Sequence, residues 1–360
     1  LIFLLIGVLA SPLMAGGPEF DIPKPGRVFK FPGDHGAHPR YKTEWWYYTG
    51  HLRAKDGESF GYQLTFFRAA LKKPDPRARS AWALHTVYFA HLALTDVNRR
   101  TFTFREKADR GALGLAGAAV GRLKVWIDSW QAEMQDDEHH LRAQDEGLGL
   151  DLALTPRKPP VLHGDAGFSR KAAQGDAASY YYSLTRMDTR GRVHLGKRDL
   201  EVTGSSWMDH EFFTQTLAPD LAGWDWFALQ LDDGWEVMLY LLRHRDGSID
   251  PASSGNLIDP RGQARRLKLG DFKLTPTKTW NSPHSQAIYP GGWKLEIPNA
   301  GYSLTLAPTL ADQEIRAGEA GGVTYWEGQI EVQGQRHQQS VSGQGYAELT
   351  GYAGKLGGMF

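Results

Sequence analysis

The densest group of ionisable side chains is Trp207-Met208-Asp209-His210-Glu211-Phe212. On a regular strand, Asp209 and Glu211 project with Trp207, while His210 projects to the other face with Met208 and Phe212. All three can enter one cavity only where a bulge re-aims a side chain. Two carboxylates on one apolar-lined face repel, which raises one pKa and leaves a general acid available near neutral pH. The competing assignment is an ion-pair network joining two domains.

A second group, Asp34-His35-Gly36-Ala37-His38 with Glu44, invites a metal assignment. Its spacing lacks the regular geometry of a helix-borne HExxH site, so loop-anchoring histidines and no metal are expected. His139-His140 lies in a polar run from Gln135 to Arg142 and reads as a solvated hairpin tip. Glu44 and Arg68 are each twelve residues from Asp56, so a hairpin turning there sets them opposite each other. Asp225 and Arg243, each nine residues from Gly234, repeat the arrangement. An acid–Arg pair among aromatics is either a buried structural bridge or a polar anchor for a ligand. The tracts Trp45, Trp46, Tyr47, Tyr48 and Trp224, Trp226 are core, or the walls of a large apolar cavity whose π faces could stabilise a cation. No G-x-S-x-G elbow, P-loop, Rossmann fingerprint or EF-hand loop occurs.

The elements that carry these residues are strands. Phe60, Tyr62, Leu64 and Phe66 alternate with Gly61, Gln63 and Thr65, and the stretches 148–154, 302–306 and 326–332 alternate likewise. Asp56-Gly57, Asp233-Gly234 and Asp246-Gly247 mark turns. Thr309 to Ala317 is the best short helical candidate. The class is mainly β.

An internal repeat sharpens this. Trp45–Arg68 resembles Trp224–Arg243 at an offset of 179, and Thr203–Asp209 resembles Ser342–Glu348 at an offset of 139. The second match aligns Trp207 with Tyr346 and Asp209 with Glu348. Between them, 150–156 resembles 302–308 and 181–187 resembles 325–331, in the same order. Two tandem antiparallel barrels of lipocalin size follow, over 16–212 and 213–360, with the junction near 213–222.

The chain has 360 residues, 41 Lys+Arg against 41 Asp+Glu, 12 Trp and no Cys. Balanced charge gives no field that draws nucleic acid. Zero cysteine excludes thiol catalysis, disulfides, Fe–S clusters and a lipoprotein anchor. Residues 1–15, LIFLLIGVLASPLMA, resemble the apolar core and cleavage site of a signal peptide with a truncated start, so a periplasmic or secreted protein is expected.

The segments His38–Leu52, Phe60–Arg68, Trp207–Phe212, Trp224–Gly234, Tyr325–Gly328 and Gly345–Tyr352 resemble the hydroxyneurosporene synthase (carotenoid 1,2-hydratase) and AttH-type lipocalin-like family. The chain departs from the family pattern at Phe212, where Trp is frequent. The resemblance implies two packed lipocalin-like barrels and a site around Asp209, His210 and Glu211, with Glu44 as a further candidate. His38, Trp45, Trp46, Tyr48, Arg68, Trp207, Trp224 and Trp226 are the expected ligand contacts. It implies either a cofactor-free hydratase or hydrolase of a lipophilic molecule, or a non-catalytic carrier working with an envelope ABC transporter. In the hydratase alternative a carboxylic acid protonates an alkene, aromatic walls stabilise the cation, and water attacks.

Overall fold

The computed structural model describes residues 20–72, 85–173, 175–215, 218, 220–318 and 322–354. The apolar 1–15 segment lies outside the described residues.

The first sheet begins with β1 (Thr43–Ala54), β2 (Ser59–Ala70), β3 (Thr86–Asp96) and β4 (Thr101–Arg110). Short strands follow: β5 (Ala116–Ala118), β6 (Lys124–Ile127), β7 (Trp130–Gln135), β8 (Glu138–Asp145) and β9 (Leu148–Pro156). β10 (Val161–Leu162), β11 (Phe168–Arg170), β12 (Ala178–Leu195) and β13 (Arg198–Phe213) complete it. The second sheet comprises β14 (Leu221–Leu231), β15 (Glu236–His244), β16 (Ser254–Ile258), β17 (Ala264–Lys268) and β18 (Lys273–Asn281). It continues with β19 (Ile288–Ile297), β20 (Tyr302–Pro308), β21 (Glu314–Ala317), β22 (Val323–Arg336) and β23 (Gln339–Leu349). Helical structure among the described residues is limited to three 3-10 turns.

Strand order along the first sheet is β4-β3-β2-β1-β13-β12-β9-β8-β7-β6-β5, and along the second β17-β16-β15-β14-β23-β22-β20-β19-β18. In each sheet the two end strands, β4 and β5 or β17 and β18, are consecutive in the chain, so each sheet curls back on itself. The result is two tandem lipocalin-like barrels. Every pairing is antiparallel, as short turns between neighbours demand. At Asp56-Gly57, Asp233-Gly234 and Asp246-Gly247 the glycine takes a φ of 90°, 81° and 86°, the left-handed conformation such turns require.

The pairing register matches the repeat. Thr49 opposes Trp207 between β1 and β13, and Ala228 opposes Tyr346 between β14 and β23. These are the same positions shifted by 179 and 139 residues.

Each barrel has its own core. Phe60, Tyr62, Leu64 and Phe66 pack inside the first with Trp46, Tyr48 and Met208. Phe227, Leu229, Trp293 and Leu295 pack inside the second. The opposite faces of β1 and β2 are buried too, because the second barrel covers them. Tyr47, Tyr181, Trp207, Trp226, Tyr240 and Tyr346 form one interbarrel layer, and Phe67, Phe89, Val323 and Tyr325 another. The approach is close at Gly61, where a Cβ would stand 2.8 Å from the Tyr346 hydroxyl oxygen.

Three details differ from expectation. The stretch 309–317 is not helical: it bends over 309–311 and ends as β21, paired with β22. Backbone bonds from Thr309 N to Gln329 O and from Glu327 N to Gln313 O tie it to that strand, so its apolar pattern serves a sheet rather than a helix. His139 is buried on β8, with Nδ1 3.0 Å from the Tyr48 hydroxyl; the hairpin tip is Asp136-Asp137. Asp225 opposes Leu241, not Arg243, and meets the Arg243 guanidinium diagonally at 2.9 Å.

Candidate active site

The outer faces of β1, β2, β12 and β13 meet those of β14, β15, β22 and β23 around a cleft. The cleft opens to solvent at its mouth and is narrow between its walls. Trp45, Tyr47, Phe67, Tyr181, Trp224, Trp226, Tyr240 and Tyr325 supply aromatic walls. Asp209, Glu211, Glu348, Lys171, Gln63 and Thr65 supply the polar groups.

β13 pairs with β1 in unbroken register from Val202 to Phe213, so strict alternation holds and no bulge re-aims a side chain. Asp209 and Glu211 therefore enter the cleft, and His210 turns into the first barrel. Asp209 Oδ1 accepts hydrogen bonds from the Ser183 hydroxyl and from Trp207 Nε1 at 2.6 Å. Its Oδ2 accepts from the Tyr181 hydroxyl at 2.5 Å. Tyr181 in turn accepts from Trp226 Nε1 of the second barrel at 2.9 Å. Burial pushes the Asp209 carboxyl up to about 7, against the pull of those three donors and with help from the Glu211 charge.

Glu211 pairs with Lys171 at 2.5 Å, and the Lys171 ammonium also lies 5.1 Å from the Tyr181 ring and 5.0 Å from the Tyr240 ring. Glu348, half-buried on β23, accepts from Trp224 Nε1 at 2.9 Å. Burial raises it to about 7, opposed by that bond and reinforced by the charges of Asp209 and Glu211. Behind it, Glu327 accepts from the Tyr47 hydroxyl at 2.7 Å and is raised well above its usual range by burial and by Glu348. The cleft thus holds two carboxyl groups, Asp209 and Glu348, that exchange protons near neutral pH beside aromatic rings. Such an arrangement can deliver a proton to a weakly basic carbon.

Glu44 and His210 stand in a separate, closed network within the first barrel. Glu44 Oε1 is 2.8 Å from both His38 Nδ1 and His210 Nε2, and Arg68 Nε donates to Oε2 at 3.0 Å. His38 Nε2 reaches Asp34 at 3.0 Å, and His210 Nδ1 meets the Tyr182 hydroxyl at 2.9 Å. Burial opposes ionisation of Glu44, yet the bonds from His210 and His38 and the charges of His38 and Arg68 hold it well below the usual carboxylate range. The ligand atoms of His38, Glu44 and His210 lie within 4.8 Å of one another, a spacing a metal could use. The Arg68 guanidinium already neutralises this carboxylate, so the donor set is built for an internal ion pair.

The expected site residues therefore divide. Asp209, Glu211, Trp45, Trp224 and Trp226 line the cleft, and Trp207 fixes Asp209 from behind. Glu44, Trp46 and Tyr48 on β1, Arg68 on β2 and His210 on β13 belong to the first barrel's interior because their positions have the opposite parity, and His38, ahead of β1, joins them through Glu44. Trp46 donates to His35 O at 3.0 Å and stacks on His210 at 5.0 Å. Phe212, the departure from the family pattern, stacks on His38 at 3.7 Å, also away from the cleft. Sequence reasoning named Tyr47 within an aromatic tract without choosing its face, and missed Lys171, Tyr181 and Glu348 as cleft residues. The alignment of Asp209 with Glu348 was the signal for the last of these.

Residues 22–352 match the family model described as AttH-like. The crystal structure assigned to AttH from Nitrosomonas europaea is 34% identical, with a TM-score of 0.82 over 91% of this chain and 98% of that one. Kievitone hydratase of Fusarium solani subsp. phaseoli is 22% identical over 273 residues, 74% of this chain and 75% of that protein. The crystal structure of kievitone hydratase from Nectria haematococca shares the fold at 15% identity, with a TM-score of 0.70 over 91% of this chain and 94% of that one. The match across nearly the whole described chain shows that the protein belongs to the AttH-like family.

Proposed function

We propose that the protein is a cofactor-free hydratase of a lipophilic alkene bound between the barrels. The observation that carries this is Asp209, a carboxyl raised to about 7 and coupled through the Tyr181 hydroxyl to an aromatic-walled cleft. When Asp209 carries its proton on Oδ2, it donates to Tyr181 and frees the phenolic hydrogen to turn into the cleft. A proton passes to one alkene carbon, the π electrons form that C–H bond, and the cation left on the neighbouring carbon faces the rings. Water adds to that carbon and gives up a proton, so the net change is addition of one water. The relatives that act on kievitone support this choice of chemistry. Export to the periplasm or medium fits the apolar residues 1–15, and N-terminal sequencing of protein from its host should then begin near Gly16.

The test is incubation with kievitone and with an acyclic carotenoid in isotopically labelled water. Labelled hydroxyl in the product, lost by ~10²-fold or more in Asp209→Asn, supports the hydratase. Tight binding with no incorporation supports a carrier working with an envelope transporter, the reading favoured by the cleft's apolar walls alone.

A further inference from the structure

Glu348 enters the cleft from the second barrel at the place Asp209 holds in the first. Asp209 lies opposite Tyr47 across β13 and β1, and Glu348 opposite Trp226 across β23 and β14. Tyr47 and Trp226 are equivalents at the 179-residue offset, and their rings meet edge to face at 5.1 Å. The two acids therefore enter one cleft from different barrels, on either side of that ring contact. Each is held by an indole of its own barrel, Trp207 on Asp209 at 2.6 Å and Trp224 on Glu348 at 2.9 Å.

The two carboxyls differ in what remains free. Both oxygens of Asp209 are engaged, by Ser183, Trp207 and Tyr181. Glu348 takes its one hydrogen bond among the described residues on Oε2, which leaves Oε1 for a ligand or water. We infer that Glu348 is the base of this site, taking a proton from the water that adds while Asp209 supplies the proton the alkene carbon receives. The inference rests on the hydratase reading. The water oxygen bonds to the cationic carbon and one of its hydrogens passes to Glu348 Oε1. Asp209, left as a carboxylate, is reprotonated from Glu348 through water in the cleft, which closes the cycle with no other reactant. The charge of Asp209 raises Glu348, so the two acids do not readily ionise together, and loss of a proton from one favours its retention by the other.

The experiment uses the full chain with kievitone and an acyclic carotenoid in deuterated water. Two readouts are followed: hydrated product, and deuterium entering the recovered alkene. Without its base the cation returns a hydrogen to the Asp209 carboxylate, so Glu348→Gln should lose ~10²-fold or more in hydration and keep deuterium exchange within about threefold. Glu348→Asp should recover part of the hydration. Asp209→Asn should lose both readouts. Hydration by Glu348→Gln within a few-fold of wild type overturns the assignment. So does equal loss of hydration and exchange in a variant whose melting temperature matches wild type. Wild-type protein that neither hydrates nor exchanges either alkene removes the hydratase reading itself, and the role of Glu348 with it.

Discussion

Lys158 of the first barrel places its ammonium 2.6 Å from the carboxylate of Glu236 in the second. Arg186, also from the first barrel, reaches the other oxygen of Glu236 at 2.6 Å and donates to Leu231 O at 3.1 Å. The sequence offered Asp209 and Glu211 as a possible interdomain ion-pair network, and the structure shows such a link here instead. Glu236 is fully buried, so its two cations are structurally committed to it. Among the described residues lining the cleft, Lys171 is the one cationic side chain, and it pairs with Glu211 rather than with Asp209 or Glu348.

Replacing Glu236 with Gln should destabilise the protein by ~3–5 kcal/mol, since it strands a buried lysine and a partly buried arginine. Chemical denaturation measures this. We expect a lower midpoint and a split or broadened transition as the barrels unfold less cooperatively. A midpoint equal to wild type would mean that the pair is screened like a surface bridge.

Glu44→Gln separates structure from catalysis. It leaves Arg68, itself 3% exposed, without its carboxylate, and should cost ~3–5 kcal/mol. Turnover per folded molecule should stay within a few-fold, because Glu44 and His210 face away from the cleft. A stable Glu44→Gln protein with turnover reduced a hundredfold would put the chemistry inside the first barrel.

The fold was legible because the signals were periodic and repeated. Alternation at 60–66 and the Asp-Gly turns gave strands and hairpins, and two offsets gave two barrels, with the hairpin of Asp225 and Arg243 two residues out of register. Strand parity also separated Asp209 and Glu211 from His210 before any coordinates. What a single strand cannot reveal is which of its two faces meets another domain. Trp46 and Tyr48 looked as good a cavity wall as Trp45 and Tyr47, because both faces of β1 are buried. Lys171 was invisible for another reason, since its approach to Glu211 depends on a connection between β11 and β12 that no local pattern specifies.

Asp209→Asn should lower turnover by ~10²-fold or more, the low end for a lost general acid. It should also cost ~1–3 kcal/mol, because an amide keeps only one acceptor oxygen where the carboxylate takes hydrogen bonds on both from three donors. Thermal melts run beside the assay separate the two effects. Full activity in a folded Asp209→Asn protein would exclude the acid assignment and move attention to Glu211.

The last expectation concerns pH. Asp209 and Glu348 are raised to about 7 in the folded protein, whereas unfolded carboxyls titrate near ~4. Between those values the folded state holds protons that the unfolded state has released, so stability falls as pH rises through that window. Their contribution is fully present below about pH 4 and lost above about pH 7. The buried histidines His35 and His139 act in the opposite sense, since burial lowers both and unfolding in acid lets them charge. That term is common to wild type and to an Asp209→Asn, Glu348→Gln double variant, so it cancels in their difference. Melting temperatures measured from about pH 4 to 8 should show wild type losing ground to the double variant as pH rises. Parallel curves would mean that neither carboxyl is raised. The same titration governs turnover, because donation needs a proton on Asp209 and water activation needs its absence on Glu348. The rate should therefore be bell-shaped about neutrality, and Glu348→Asp should shift the acid limb without removing the alkaline one.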